Sequence, residues 1–321
     1  VETEAFYSCT KLTEVTLPAN LKTLKAYAFG GIVNLKTVYA NCDRSTLDFE
    51  DYAFHNSADT HYGYVERLVL GKNMAVVDIN GVFGSNKLVS VEVDPENQYY
   101  ASLDGVLFDK AMLNLVYFPG GITGTYTIPG TVTSIGTRVF QSKEISGIVI
   151  GKNITSIGDQ AFNSCKNLVS VTFEAGGESE LIFGTEVFFG CSALPSIELP
   201  ERLAVLGDGA FKNCSLLTSV YIPKNVSSIV ETEVKEYVSG ESGYVPILRT
   251  RVFENCNSLV EIVVDPENKN YASVDGVLYG RNEKGVISKL MVCPRNKGGV
   301  VDIADTVTEI ANKAFYYNKG V

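Results

Sequence analysis

The chain of 321 residues has no tryptophan, two histidines and three methionines, and its seven cysteines are an odd number. An odd count cannot pair completely inside one chain. Both histidines, His55 and His61, stand in one loop, which starves every chemistry that needs an imidazole beside a nucleophile. As a zinc pair they lack a matching set of Cys or carboxylate partners. Lysines and arginines number 27 against 37 acidic residues, a net charge of −10, and they are scattered. Nucleic-acid binding needs a concentrated basic footprint and is excluded. No run of 18 apolar residues exists, so no membrane-spanning helix is expected within this segment. The carboxylates of Glu92, Glu198 and Asp302 fall on one stripe of the pattern described below, but several rungs apart. A glycosidase pair needs them about 5–9 Å from each other. No catalytic residue, metal ligand or cofactor site is therefore expected, and the chain is read as a non-enzyme.

What the sequence does contain is a repeat. "AFYSCTKLTEVTLP" (Ala5–Pro18), "AFNSCKNLVSVTF" (Ala161–Phe173), "VFFGCSALPSIELP" (Val187–Pro200), "AFKNCSLLTSVYIP" (Ala210–Pro223) and "VFENCNSLVEIVV" (Val252–Val264) share one pattern, A/V-F-x-x-C-x-x-L-x-x-V-x-L-P. A second half, such as "NITSIGDQAF" (Asn153–Phe162), leads into the next A-F. The Phe position is filled by Phe6, Phe29, Phe54, Phe83, Phe140, Phe162, Phe188, Phe211, Phe253 and Phe315. Most neighbours are 22 to 29 residues apart, with long gaps of 57 and 62. L-x-x-V-x-L alternates as a short strand does, a following Pro or Gly stops it, and I-G-x-x-A-F turns the chain back. One such unit cannot close a core, so units stack and share one, with the phenylalanines in a column.

The motifs L-x-x-V-x-L-P (Leu12–Pro18), I-G-x-x-A-F (Ile157–Phe162) and F-x-x-C (Phe211–Cys214) recur in register along the chain. The pattern resembles the BspA-like leucine-rich repeat family. The resemblance implies a solenoid, a right-handed leucine-rich-repeat superhelix. It is expected to be mainly parallel β, with roughly eleven strands, short helical or 3-10 turns and inserted β-hairpins. It also implies a cell-surface or secreted, extracellular protein of a host-associated bacterium, engaging host matrix or cell-surface proteins or glycans. The expectation is one solenoid domain over 1–321, with inserted hairpins near 94–119, 230–251 and 265–294. "VETEAF" at the start aligns with the middle of a repeat and Val321 with the start of a strand, so the sequence reads as a fragment of a longer chain.

The two long gaps each hold a copy of one stretch: "VDPENQYYASLDGVLF" (Val93–Phe108) and "VDPENKNYASVDGVLY" (Val264–Tyr279), identical at twelve of sixteen positions. Asp104-Gly105 and Asp275-Gly276 are hairpin-turn dipeptides, and Asn97 and Asn268 suit side-chain-to-backbone turn bonds. A calcium loop wants oxygen ligands at alternate positions and a bidentate Glu at the twelfth, which neither copy has. The stretch is read as architecture. Each long unit also carries an expected extra strand, "YTIP" (Tyr126–Pro129) and "VDIA" (Val301–Ala304).

Cys9, Cys165, Cys191, Cys214 and Cys256 fill the F-x-x-C position, and Asn86 and Asn318 fill it elsewhere. This predicts a buried ladder of free thiols bonded to turn carbonyls. Parallel side chains one rung apart place Cβ atoms about 4.8 Å from each other, against about 3.8 Å in a disulfide. The outward residue between the last two buried positions of each strand gives a candidate binding face: Thr16, Tyr39, Val69, Glu92, Thr127, Val149, Thr172, Glu198, Tyr221, Val263 and Asp302. Tyr39 and Tyr221 are its expected anchors, because tyrosine combines apolar area with a polar tip. The insertion Val230–Arg251 is a second candidate surface, on a projecting hairpin. Two functions fit: a protein- or glycan-binding adhesion module, and a structural spacer displaying another domain.

Overall fold

The computed structural model describes residues 1–42, 48–50, 52–55, 63–75, 79, 87–237 and 243–321. Phe83, His61, Asn86 and the tip of the insertion at 238–242 lie outside the described residues. Two compact units form, Val1–Thr123 and Gly124–Val321. The repeat pattern runs through both.

Each coil contributes a short strand to a parallel ladder. In the first unit the strands Glu14–Leu17, Thr37–Ala40, Arg67–Leu70 and Ser90–Val93 pair in that order. In the second, Gly124–Thr127, Ile145–Ile150 and Ser170–Phe173 form one ladder, and Ser196–Glu198, Ser219–Ile222 and Glu261–Val264 another. Alternation puts Val38, Leu68, Val91, Ile148, Val220 and Ile262 in the core, nearly devoid of solvent contact. The second half of the repeat, expected only to turn the chain back, has a narrower parallel ladder of its own. In the second unit it runs through Ser134–Ile135, Ser156–Ile157, Leu181–Phe183, Leu203–Leu206 and Ser228–Ile229.

Two expectations need correction. Among the described residues the connections are turns, and only Ile79 has helical geometry. Most of these turns are closed at two left-handed corners that flank the A-F dipeptide, such as Arg138 and Ser142, Gln160 and Ser164, or Gly209 and Asn213, while the Phe253 turn has only Asn255. Ser and Asn tolerate this region at small cost. The I-G glycine does not supply the bend, because Gly207 is not at positive φ. A Cβ there would lie 1.9 Å from the Gly184 carbonyl oxygen, so glycine is required by how closely coils stack. Second, Val301–Ala304 is not a strand, and exposed Asp302 sits outside any ladder. Gly124–Thr127, its counterpart, is held by the following strand Ile145–Ile150, and residues 305–321 supply no equivalent.

The phenylalanines stack as columns inside each unit. Phe6, Phe29 and Phe54 have ring centroids 4.9 and 5.1 Å apart and are nearly parallel. Phe140, Phe162, Phe188, Phe211 and Phe253 follow at 4.7, 5.0, 5.6 and 5.9 Å. These separations are those of favourable aromatic pairs. Phe6, covered on one side only, is half exposed, and Phe315 has no ring partner among the described residues.

Beside the column runs the thiol ladder. Sγ of Cys165, Cys191, Cys214 and Cys256 donates to the carbonyls of Phe140, Phe162, Phe188 and Phe211 at 2.9 to 3.1 Å. Burial pushes the Cys256 thiol up to about 12 and holds those of Cys191 and Cys214 well above the ordinary thiol range. Lys143 fills the same position in its coil, and burial brings its ammonium down to about 8. All seven cysteines are free, and only Cys9 is exposed. Because the thiolate is the reactive form, Ellman's reagent is expected to titrate one thiol promptly in the native protein and seven after unfolding without reductant. Several prompt thiols, or fewer than seven on unfolding, contradict the ladder.

The duplicated stretch is an edge device. Tyr100–Leu103 pairs antiparallel with Val106–Asp109, and Tyr271–Val274 with Val277–Arg281, through turns with positive φ at both Asp-Gly residues. The turn carbonyls of Gly105 and Gly276 accept the N–H groups of Val91 and Ile262 at 2.8 and 2.9 Å. Ser102 and Ser273 hydroxyls accept from Val93 and Val264. The hairpin thus occupies the place where the next rung of the ladder belongs. Asn97 and Asn268 fix it. Each is buried, its amide donating to two carbonyls of the preceding turn (Gly71 and Met74; Pro223 and Val226). Its oxygen accepts two backbone N–H groups of its own loop. Within D-P-E-N, Asp94 and Asp265 each accept the N–H of the Glu two residues on.

Candidate functional site

The outward series forms rows set by strand register. Thr16, Tyr39, Val69 and Glu92 are direct partners across the first unit's ladder. Thr127, Val149 and Thr172 form a second row, and Glu198, Tyr221 and Val263 a third. Asp302 belongs to none. In the first row Arg67 lies between two members. Its guanidinium donates twice to Glu92 at 2.5 Å and more loosely to the Tyr39 hydroxyl at 3.4 Å. The Arg67 hydrogen bonds hold the Glu92 carboxyl below its usual range. Tyr39 is half-buried by this arrangement rather than standing free.

Tyr221 is the more open of the two tyrosines, 39% exposed. Its hydroxyl donates to Asp265 of the duplicated loop at 2.6 Å, which pushes the phenol up to about 12. Replacing Asp265 by Asn is expected to return the Tyr221 ionisation toward the ordinary value near 10. NMR titration of ring-labelled tyrosine reads this directly, and an unchanged midpoint would mean that the contact is not made in solution.

The second and third rows are separated by a seam. Val169 N–H donates to Ser146 O, Thr218 N–H to Pro195 O and Val260 N–H to Thr218 O, at 2.9 to 3.0 Å. Pro195 occupies the donor position between them and has no N–H to give. Among the described residues no ladder joins Ser170–Phe173 to Ser196–Glu198. The insertion that follows Glu174 runs beside this break. Gly177, at φ +86°, packs where a Cβ would lie 2.4 Å from the Lys152 carbonyl oxygen and 3.1 Å from Arg202. Other coils place an asparagine at the position of Arg202, as Asn153 donating to Gly130 O and Asn225 to Glu201 O. Arg202 instead reaches past the intervening coil, at Gly177, to the carbonyls of Gly151 and Ile154, 51 and 48 positions earlier, a span that needs the longer side chain. The seam opens as a cavity of about 1000 Å³ lined by Val169–Gly177, Ser196–Arg202, Asn225, Ser227 and the carboxylates of Glu178 and Glu180. Of the outward series only Thr172 and Glu198 line this cavity, and Pro195 inside a strand motif was the signal for the rest.

The insertion forms an antiparallel ribbon, Glu231–Tyr237 against Tyr244–Thr250. Tyr237 and Tyr244 pair edge to face near its tip and are the most exposed tyrosines described. Ion pairs fasten it at both ends: Lys289 with Glu231 at 3.0 Å and Arg251 with Asp208 at 2.8 Å at the base, and Glu236 with Lys313 and Arg249 toward the tip. No helix of the described residues is long and apolar enough to cross a membrane.

The family described as BspA type leucine rich repeat region matches residues 1–102 and 114–237 in six copies. Two solved structures share the fold. One is a leucine rich cell surface protein from Faecalibacterium prausnitzii A2-165, 24% identical over 82% of this chain with a TM-score of 0.52. The chain spans 62% of that protein's length. The other is the pneumococcal vaccine antigen PcpA, 16% identical over 94% of this chain and 75% of its own, with a TM-score of 0.52. No curated protein matches this chain. Repeat motif, parallel ladders and family match agree: the chain belongs to the BspA-type leucine-rich-repeat family.

Proposed function

We propose that this protein is a non-enzymatic binding module, displayed at a bacterial cell surface or secreted, whose outward strand rows engage a protein or glycan of a host or neighbouring cell. The observation that carries the reading is the registered row Glu198–Tyr221–Val263, an exposed aromatic on a rigid ladder beside an open cavity. Rigid presentation of a few aromatic anchors is how such surfaces gain affinity. The cell-surface description of the Faecalibacterium structure supports the location.

The structural-spacer reading is favoured by one fact: Tyr39 and Tyr221 already have internal partners in Arg67 and Asp265. Protein and glycan arrays separate the two. A ligand whose binding falls at least tenfold on Tyr221→Ala, with the fold intact by circular dichroism, supports the binding module. The absence of any ligand supports the spacer.

A further inference from the structure

We propose that the seam cavity is the docking site for an extended, lysine- or arginine-bearing segment of a protein partner; this rests on the binding-module reading and names the chemistry of one of its sites. The ladder is interrupted here for a covalent reason, since Pro195 cannot donate and the Val169 carbonyl is left without the donor that neighbouring coils provide. The opening is large, about 1000 Å³, at the upper end of the range of ligand pockets. Its floor carries the apolar side chains of Val169 and Phe173, which suit the aliphatic stems of long cationic residues.

Charge selects the occupant. Glu174, Glu178, Glu180, Glu198 and Glu201 line the cavity, and none is in an ion pair among the described residues. Elsewhere in the unit Glu186, Glu231, Glu236 and Glu254 are paired, whereas glutamates without an ion pair among the described residues, such as Glu144 and Glu283, line no such cavity. The single cation of the lining, Arg202, is buried and donates to the Gly151 and Ile154 carbonyls; one positive charge against five carboxylates leaves the wall strongly negative. A cleft lined by one sign of charge with poorly polarisable walls focuses its field on the opposite sign. The lining runs along both strands, Val169–Gly177 on one and Ser196–Arg202 on the other, a length that suits an extended segment better than a compact ion.

The test uses the whole chain and a fluorescent peptide alternating lysine and serine, with a glutamate–serine peptide of equal length as control, read by anisotropy. The lysine peptide is expected to bind, the control not, and added salt to weaken the complex. Changing the three exposed residues Glu178, Glu180 and Glu198 to Gln should weaken binding about tenfold or more. A second triple variant, Glu4→Gln, Glu14→Gln and Glu283→Gln, removes the same charge elsewhere and should leave binding unchanged. Equal loss in both variants overturns the proposal, since attraction to net charge then suffices. Spermine or calcium competing at concentrations as low as the peptide overturns it also, in favour of a small-cation site. If the lysine peptide fails while an array ligand is lost on Tyr221→Ala, this inference falls and the binding module stands. If neither peptide nor array ligand binds, both fall.

Discussion

Phe162→Ala is expected to lower the stability of the chain by about 3–5 kcal/mol, the usual cost of deleting a buried aromatic ring. Phe162 is fully buried and touches rings on both sides, Phe140 at 4.7 Å and Phe188 at 5.0 Å. Its removal therefore leaves a hole and strips one stacked neighbour from each of two other rings. Phe315→Ala supplies the internal contrast: that ring is only half-buried and is unstacked among the described residues, so its loss should cost clearly less. Urea unfolding followed by circular dichroism measures both. Comparable losses for the two variants, or a loss under about 1 kcal/mol for Phe162→Ala, would mean that the column does not hold the coils together.

Asn268→Leu should be the costliest polar substitution. The side chain replaced makes four hydrogen bonds in a buried site, two to the carbonyls of Pro223 and Val226 and two from the N–H groups of Asn270 and Tyr271. An aliphatic group of similar size removes all four bonds, and of the four partners the Pro223 carbonyl keeps a second donor, the Val226 N–H at 3.2 Å. Each orphaned buried group costs about 1–3 kcal/mol, so a loss on the order of 4 kcal/mol or more is expected after partial rehydration. Asn268→Asp keeps the two acceptor interactions but turns a carboxylate toward two carbonyl oxygens, and should be nearly as harmful at neutral pH. Lowering the pH to protonate that carboxyl supplies one donor and should recover part of the loss. The same pair of changes at Asn97 tests the duplicated loop independently. If Asn268→Leu unfolds in the same urea range as the parent, the conserved geometry of the two loops is not what fastens the hairpin.

These effects follow from features that were unevenly legible in the sequence. The strand rows were legible because alternation in L-x-x-V-x-L leaves one position per coil pointing outward, and ten of the eleven series residues lie in strands. Asp302 failed for a reason outside its own neighbourhood: a strand needs a ladder partner, and apolar spacing at Val301–Ala304 cannot supply one. The roles of Asn97 and Asn268 as loop residues could be read, but not their reach into the preceding turn, which depends on coil-to-coil distance. The left-handed corners were not legible because they are held by residues as varied as Arg138, Gln160 and Asn213. The seam was hidden by the regularity of the repeat. "CSALPSIELP" fits the consensus at every apolar position, and the departure lies in one missing hydrogen on Pro195. Ion pairs such as Arg251 with Asp208 join residues 43 positions apart and left no trace in the local pattern.

The glycine carbonyls that seal the edge strands Ser90–Val93 and Glu261–Val264 also decide where the molecule frays. Peeling a coil off an uncapped ladder exposes a fresh row of donors, and the next coil is then as vulnerable as the last. At a capped edge that row is already occupied by Gly105 or Gly276, so the tear has no new purchase and must stop or begin again elsewhere. A chain stretched between two anchors would on this account yield in discrete blocks rather than unzip as one.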